Sequence, residues 1–372
     1  MDMTPDPALH SAAKLRSAWE SLAANAAEAN CFYTPAMILP ALRHLEGQDD
    51  VRLIEAWQDD VLIGLLPVVI APHHGRYPIA NVTNWTYRHC FFGAPMIRQG
   101  EEIHAWEHFL SALDSADWAP HFLHLTGLDS DGANVAALQE LCARQRRGLR
   151  PVHRYERAFL KSPLCADDYW ETHIRSKKRK EIRRLQKRLN ELGTVTSSTL
   201  TDADDLGAWC DAFLALELAG WKGVEGTAMA CHPADAAFFR DSVASAFADG
   251  TLDFLRLDFD GKPIAMLVNF LMGQGGFSFK IAFDETMARF SPGVLIEIDN
   301  LRHVLDGNGP DWMDSCAAPG HPMIDSLWAE RRHIVQYRVA LRGVRRSIAW
   351  YAMQVADHVT ARLRAINGKN EP

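Results

Sequence analysis

Apolar residues along the chain follow two rhythms, one suited to strands and one to helices. Residues 51–57 and 61–70 are apolar runs separated by Asp59-Asp60, which predicts strand, turn and strand. Residues 101–116 place Ile103, Trp106, Phe109, Leu110 and Leu113 at helical spacing. The Ala-rich residues 1–30, residues 32–45 and residues 135–147 also predict helices, the last stopped by Gly148. Further apolar segments lie around Phe91, and residues 122–125 and 152–160 read as strands.

The second half repeats this order of elements. A helix is expected over 168–192, ended by Gly193, then an extended β-branched stretch at 194–200. Helices follow at 202–218, where an Asp-rich first turn suits the helix dipole, and at 235–248. Residues 252–259, 263–272 and 276–283 predict three successive strands, the first two joined by Asp260-Gly261. A helix at 294–305, a strand at 311–317, a short helix at 323–330 and a strand at 334–341 come next. A C-terminal helix starts at about residue 344. Pro163 and polar residues interrupt the pattern at 161–168, which divides the chain into 1–162, 163–343 and a terminal helix in 344–372. The class expected is α/β, of the α+β kind with a mixed sheet.

The 372 residues suit two domains. A hydrophobic share of 48% and a charged share of 23% exclude a disordered or collagen-like chain. The net charge of −8 argues against a dedicated DNA binder. No apolar run approaches the roughly 18 residues that span a bilayer, and the N-terminal MDMTPDPALH lacks the basic and apolar regions of a signal peptide. Seven scattered cysteines without a CxxC pair suit reduced thiols, so the cytoplasm is the expected compartment and no metal site is expected. His73-His74 sits in a Pro/Gly-flanked loop without a nearby carboxylate, which also speaks against a metal. No GxxxxGK, GxSxG, HExxH or strand-borne GxGxxG occurs.

Five stretches carry a family likeness: KKRKEIRRL at 177–185, LELAGWKGVEGTA at 216–228, FKIAFDE at 279–285, FSPGVL at 290–295 and DSCAAPGHPMIDSLWAERR at 314–332. With them the second half resembles the CelD-like acyltransferase domain of the GNAT superfamily. The whole chain is similar to the tandem-GNAT arrangement of the FemABX aminoacyltransferases, and so is expected to hold two tandem GNAT-like domains. The first half carries no such words, so its likeness rests on element order. The resemblance implies transfer of an acyl group from acyl-CoA, a co-substrate rather than a tightly bound cofactor, to an amine or hydroxyl. It implies acceptors among cell-envelope lipids or glycans, and one similar group is the bacterial ceramide synthases, which N-acylate sphingoid bases.

Candidate residues follow from the two lines together. Ser291, Pro292, Gly293 and Val294 open a helix at the place of the family's pyrophosphate loop, where free N–H groups and the dipole suit an anion. The family pattern has a second close glycine that this chain lacks, and a plain turn capped by Ser291 reads equally well. Arg289 offers a charge, and Phe279 and Ile281 are expected to lie along the donor. Lys280 and Asp284, four apart on one strand face, read either as an ion pair or as the group that stabilises a developing oxyanion. Glu217 is a candidate base for the amine if burial raises its pKa, and Trp221 and Lys222 are a candidate acceptor rim. Asp314 is a second candidate base. Cys316 and His321 are placed at the substrate, with direct transfer favoured over a cysteine nucleophile.

Nine Lys/Arg and one Glu between Arg175 and Arg188 give a local charge of +8. Ile182, Leu185, Leu189 and Leu192 form an apolar stripe beneath them, so the run is either a solvated helix or a seat for an anionic partner. In the C-terminal helix Val344, Ile348, Tyr351, Val355, Val359, Leu363 and Ile366 form one stripe, with Arg345, Arg346, Arg362 and Arg364 opposite. That stripe either docks on the protein or lies in a membrane interface. The reading is an acyl-CoA-dependent N-acyltransferase of an envelope lipid or glycan amine, with a peripheral place on the inner face of the inner membrane if the acceptor is a lipid. The alternatives are an aminoacyl-tRNA-dependent transferase and a degenerate, non-catalytic scaffold in polysaccharide assembly.

Overall fold

A computed structural model describes residues 7–45 and 50–367. The first half consists of α1 (Pro7–Ala24), α2 (Pro35–His44), β1 (Arg52–Gln58), β2 (Val61–Ala71), β3 (Asn81–Asn84), β4 (Met96–Ile97), α3 (Glu102–Ser115), β5 (Phe122–Asp129), α4 (Ala133–Arg144) and β6 (Leu149–Leu160). After it come α5 (Ala166–His173), α6 (Ser176–Asn190), β7 (Val195–Thr199), α7 (Leu206–Ala219), α8 (Trp221–Val224) and α9 (Pro233–Ala248). The chain ends with β8 (Leu252–Phe259), β9 (Lys262–Met272), β10 (Gly275–Phe283), α10 (Pro292–Leu305), β11 (Trp312–Asp314), β12 (Glu330–Ala340) and α11 (Val344–Asn367).

Local chemistry explains the best-matched elements. Asp59 and Asp60 both take positive φ, as a two-residue turn between twisted strands requires, and Asp260-Gly261 does the same. The near-continuous apolar β2 is a central strand buried on both faces. Its Gly64 has no side chain because α3 lies directly on it: a Cβ there would sit 2.7 Å from the Phe109 ring.

The strands form one 12-stranded mixed sheet in the order β1-β2-β3-β5-β12-β6-β11-β10-β9-β8-β7, with β4 on β2. The two halves repeat one pairing scheme. β1, β2 and β3 are antiparallel neighbours, and β5, reached through α3, is parallel to β3. β8, β9 and β10 are antiparallel neighbours, and β11, reached through α10, is parallel to β10. The closing strands are exchanged. β12 lies between β5 and β6, and β6 pairs with β11. Each half is thus completed by a strand from the other, and the larger core runs through both.

Three expectations are corrected. The single helix at 168–192 is two helices, because the backbone turns at Ile174 to bury that side chain, and Arg179 binds the Glu171 and Ile174 carbonyls at the break. The strand at 311–317 stops at Asp314. The helix at 323–330 is one 3₁₀ turn, Ile324–Ser326, and Glu330 already belongs to β12.

The C-terminal helix docks by the opposite face from the one expected. Trp350 and Met353 are buried against Phe122, while Val344, Ile348, Tyr351 and Val355 are 81%, 66%, 66% and 63% exposed. The side chains of Val359, Arg362, Leu363, Arg364 and Ile366 lie outside the described residues.

Candidate functional site

The site begins where two parallel strands part. β10 and β11 pair only at Gly275–Phe277 with Trp312–Asp314. Beyond Phe277 the strands diverge and leave backbone without a partner strand. At the same point β10 carries a bulge against β9, since Ser278 pairs with Asn269 and Lys280 with Val268. The extra residue, Phe279, changes the alternation of faces. Phe277, Phe279 and Ala282 therefore pack in the larger core, and Ile281 and Phe283 in the smaller. The bulge brings Lys280 toward α7.

A cavity of about 220 Å³ fills the split, lined by Phe91, Lys222, Ser278, Phe279, Lys280, Ile281, Glu297, Ser315, Cys316, Ala317, His321, Met323 and Ile324. Six of the expected site residues (Phe279, Lys280, Ile281, Lys222, Cys316 and His321) meet there. Lys280 is mostly buried, with Nζ 3.7 Å from Glu217 Oε1. Burial lowers its pKa, and the Glu217 carboxylate opposes that shift.

Glu217 also lies at 3.0 Å from Lys222 Nζ and accepts the Met229 N–H at 2.8 Å. Burial penalises its charge, but the two ammonium groups and these hydrogen bonds hold its pKa below the ordinary value. The upward shift expected of a base is absent, so Glu217 serves as the anionic seat of two lysines. Lys222 donates further to the Ile281 carbonyl at 3.2 Å, tying the loop after α7 to β10. That loop needs Gly223, where a Cβ would lie 1.8 Å from the Leu218 carbonyl oxygen. Trp221 is half exposed at the rim.

Asp284 is not the partner of Lys280. Its carboxylate caps the following 3₁₀ turn through Thr286 N and Oγ1. Asp314 is fully buried and cannot accept a substrate proton: its Oδ2 accepts from Arg157 at 2.7 Å and Arg332 at 3.0 Å, and its Oδ1 from Cys316 N–H at 2.9 Å. Burial opposes its charge, and the guanidiniums overcome that and lower its pKa. Burial pushes the Cys316 thiol well above its ordinary pKa, which works against a thiolate nucleophile there. His321 lines the cavity with a buried Nδ1 that has no hydrogen-bond partner.

The expected phosphate cradle is sparser than the sequence suggests. Ser291 takes a left-handed conformation before α10, and its carbonyl accepts from Val294 and Leu295 N–H. Pro292 has no N–H, and Ser291 N–H bonds Ala288. Pro292 and Gly293 are buried, Ser291 and Val294 partly exposed, and Arg289 is exposed over the Phe290 ring. None of 289–294 lines the cavity around Lys280.

Sequence reasoning missed Glu297. It lines the cavity, is 3% exposed, and burial raises its pKa to about 7. Asn300 Nδ2 donates to it at 3.3 Å, and a buried chain continues through Asn269 to Asp253. The signal was present: Glu297, Asn300, Leu301 and Val304 occupy the buried stripe of α10 at helical spacing, where a carboxylate is out of place.

The family model described as an acetyltransferase (GNAT) domain matches residues 176–321, which include most of the residues lining this cavity. The match supports an acyltransferase. The crystal structure of FemX superposes with a TM-score of 0.58 at 9% identity, covering 90% of this chain and 98% of that one. A conserved protein of unknown function from Bacteroides thetaiotaomicron VPI-5482 gives 0.55 at 11% identity, covering 88% and 97%. At these identities the likeness is one of fold. The comparison with curated proteins gives no match.

Proposed function

We propose that the chain is an acyl-CoA-dependent N-acyltransferase that acylates an amine of an envelope lipid or glycan precursor in the split between β10 and β11. One observation carries this reading: a buried carboxyl with a pKa of about 7, Glu297, and a buried ammonium, Lys280, line the same cavity. As carboxylate, Glu297 takes the proton of the attacking amine. The nitrogen bonds the thioester carbonyl carbon, and Lys280 offsets the charge on its oxygen. The C–S bond then breaks, and the departing thiolate takes the proton from Glu297 and leaves as the thiol. With Cys316 held neutral, the acyl group passes directly between the two substrates.

The test is thiol release from an acyl-CoA panel with amine acceptors that include sphingoid bases. Lys280→Met is expected to lower kcat by about 10²–10³-fold, and Lys280→Arg to restore part of it, with the melting temperature of each variant measured alongside. A loss of only a few-fold would leave Lys280 as a partner of Glu217 and nothing more.

Within this class a lipid amine of sphingoid type is the acceptor we favour, because α11 offers an exposed apolar stripe beside the exposed Arg342 and Arg345. Such a face suits the interface of an anionic bilayer. No helix among the described residues is long and apolar enough to cross a membrane. Ile348→Asp with Tyr351→Asp is expected to abolish co-sedimentation with phosphatidylglycerol vesicles while the melting temperature holds. Unchanged co-sedimentation would remove α11 from membrane contact.

A second reading uses an aminoacyl-tRNA donor. It is favoured by α6, whose Ile182, Leu185 and Leu189 are buried while Lys177, Lys180, Arg184, Lys187 and Arg188 stand on its outer faces. Salt-sensitive tRNA binding together with inert acyl-CoA would select it.

A further inference from the structure

A second cluster of buried, unpartnered nitrogens lies away from the transfer cavity, where β5, β6, β12 and α11 meet. A cavity of about 550 Å³ is lined by His74, Gly75, Arg76, Tyr77, His124, Arg150, Pro151, Val152, Gln336, Arg338 and Asp357. It shares no residue with the cavity around Lys280. Its floor follows from strand register. Arg338 of β12 stands directly opposite His124 of β5 on one side and Arg150 of β6 on the other. The two guanidiniums at opposed positions repel, and sheets avoid like charges there; burial lowers the His124 pKa to about 4, so its imidazole adds nitrogens rather than charge.

Among the described residues, Arg338 and Arg150 share a single carboxylate of the lining. Asp357 on α11 is the one carboxylate among the lining residues. It bonds Arg338 Nη2 and lies 3.7 Å from Arg150 Nε. Arg338 is 1% exposed, held between the rings of Phe122 and Trp350 at 5.6 and 5.5 Å, and its Nε and Nη1 have no partner. His74 Nδ1 and His124 Nε2 are likewise buried without a partner, with the two rings 4.6 Å apart and perpendicular. Buried donors left unpaired are costly, and those of an always-charged guanidinium most of all. Two such donors on Arg338 and two unpartnered imidazole nitrogens border one cavity.

We propose that this cavity binds a phosphate group, held by the Arg338 fork from below and by Arg150 from the side, with His74 and His124 supplying further hydrogen bonds. A planar guanidinium matches a phosphate through paired N–H donors. The volume exceeds that of phosphate alone, so the group belongs to a larger molecule, either a soluble phosphate ester or a lipid headgroup.

The full chain is titrated with inorganic phosphate at constant ionic strength, with chloride as control, and read by calorimetry and melting temperature. A saturable rise is expected, as for any ligand of the folded state. Arg150→Glu, at a half-exposed position, is expected to weaken phosphate by at least about tenfold. Arg338→Lys keeps the charge, loses the fork and is expected to weaken it similarly, with circular dichroism checking its fold. Vesicles of phosphatidylglycerol against phosphatidylcholine separate the sources. If Arg150→Glu weakens phosphate and vesicle binding together, the ligand is a headgroup; if it weakens phosphate alone, the ligand is soluble. A wild-type response no larger than that to chloride, or one equal in Arg150→Glu, overturns the proposal.

Discussion

Glu297→Gln is expected to lower kcat/KM for acyl transfer by about 10²–10⁴-fold, the range of a lost general base. The amide keeps the size of the side chain and can still accept from Asn300, so the pocket stays filled. The pH profile separates this from a packing effect. The acid must lose its proton before it can take one from the amine. Because burial raises its pKa to about 7, the wild-type rate should climb as pH rises through that value. The variant should show no such limb. Stability moves the other way. A carboxyl with its folded pKa above the ordinary 4.5 favours the folded state fully below that value, and the contribution fades as pH rises to about 7. Glu297→Gln should therefore melt no lower than wild type at pH 8. An unchanged limb, or a rate within a few-fold of wild type, would sink the assignment.

Most of the framework was legible because local signals agreed with the fold. The turns at Asp59-Asp60 and Asp260-Gly261, the helical spacing from Ile103 to Leu113 and the tandem order of elements all read directly. What did not read is non-local. Nothing in the alternation of 149–160 or 330–340 shows that these strands are exchanged between the halves, because pairing partners are set by the packed whole. The α11 stripe misled because regular apolar spacing records which residues share a face, not which face docks. Trp350 and Met353 are fewer but larger, and one side of a short patch suffices. At the site, Asp314 looked like a base because its two arginines lie 157 and 18 residues away in sequence. Glu217 looked free for the same reason, its second lysine being on a distant strand. Lys280 lines the cavity where β10 bulges at Phe279, a feature with no signature in the residue pattern.

Asp314→Ala is expected to cost about 3–5 kcal/mol of folding stability, the penalty of leaving buried cations unpaired. Arg157 and Arg332 are both almost fully buried, and both reach the same carboxylate oxygen. Arg157 comes from β6 and Arg332 from β12, the two exchanged strands, so the triad fastens the seam between the halves. Arg332 keeps Asp129 at 2.8 Å, whereas Arg157 keeps only the Phe91 carbonyl, so Arg157 bears the larger loss. The carboxylate also fixes the positive φ of Cys316 through its N–H, just where the chain leaves β11 and the cavity opens. Urea unfolding at pH 7 measures the cost. A double-mutant cycle with Arg157→Met identifies its origin: the second substitution should recover part of the loss, giving a coupling well above the ~0.5 kcal/mol of independent sites. The pH dependence has a fixed sign. With its pKa held below 3.8, Asp314 stabilises the fold above that pH, and the contribution is lost as acid protonates it. Asp314→Ala should lack that part of the acid limb. Additive effects in the cycle, or an acid limb identical to wild type, would show that the triad is not what holds the seam.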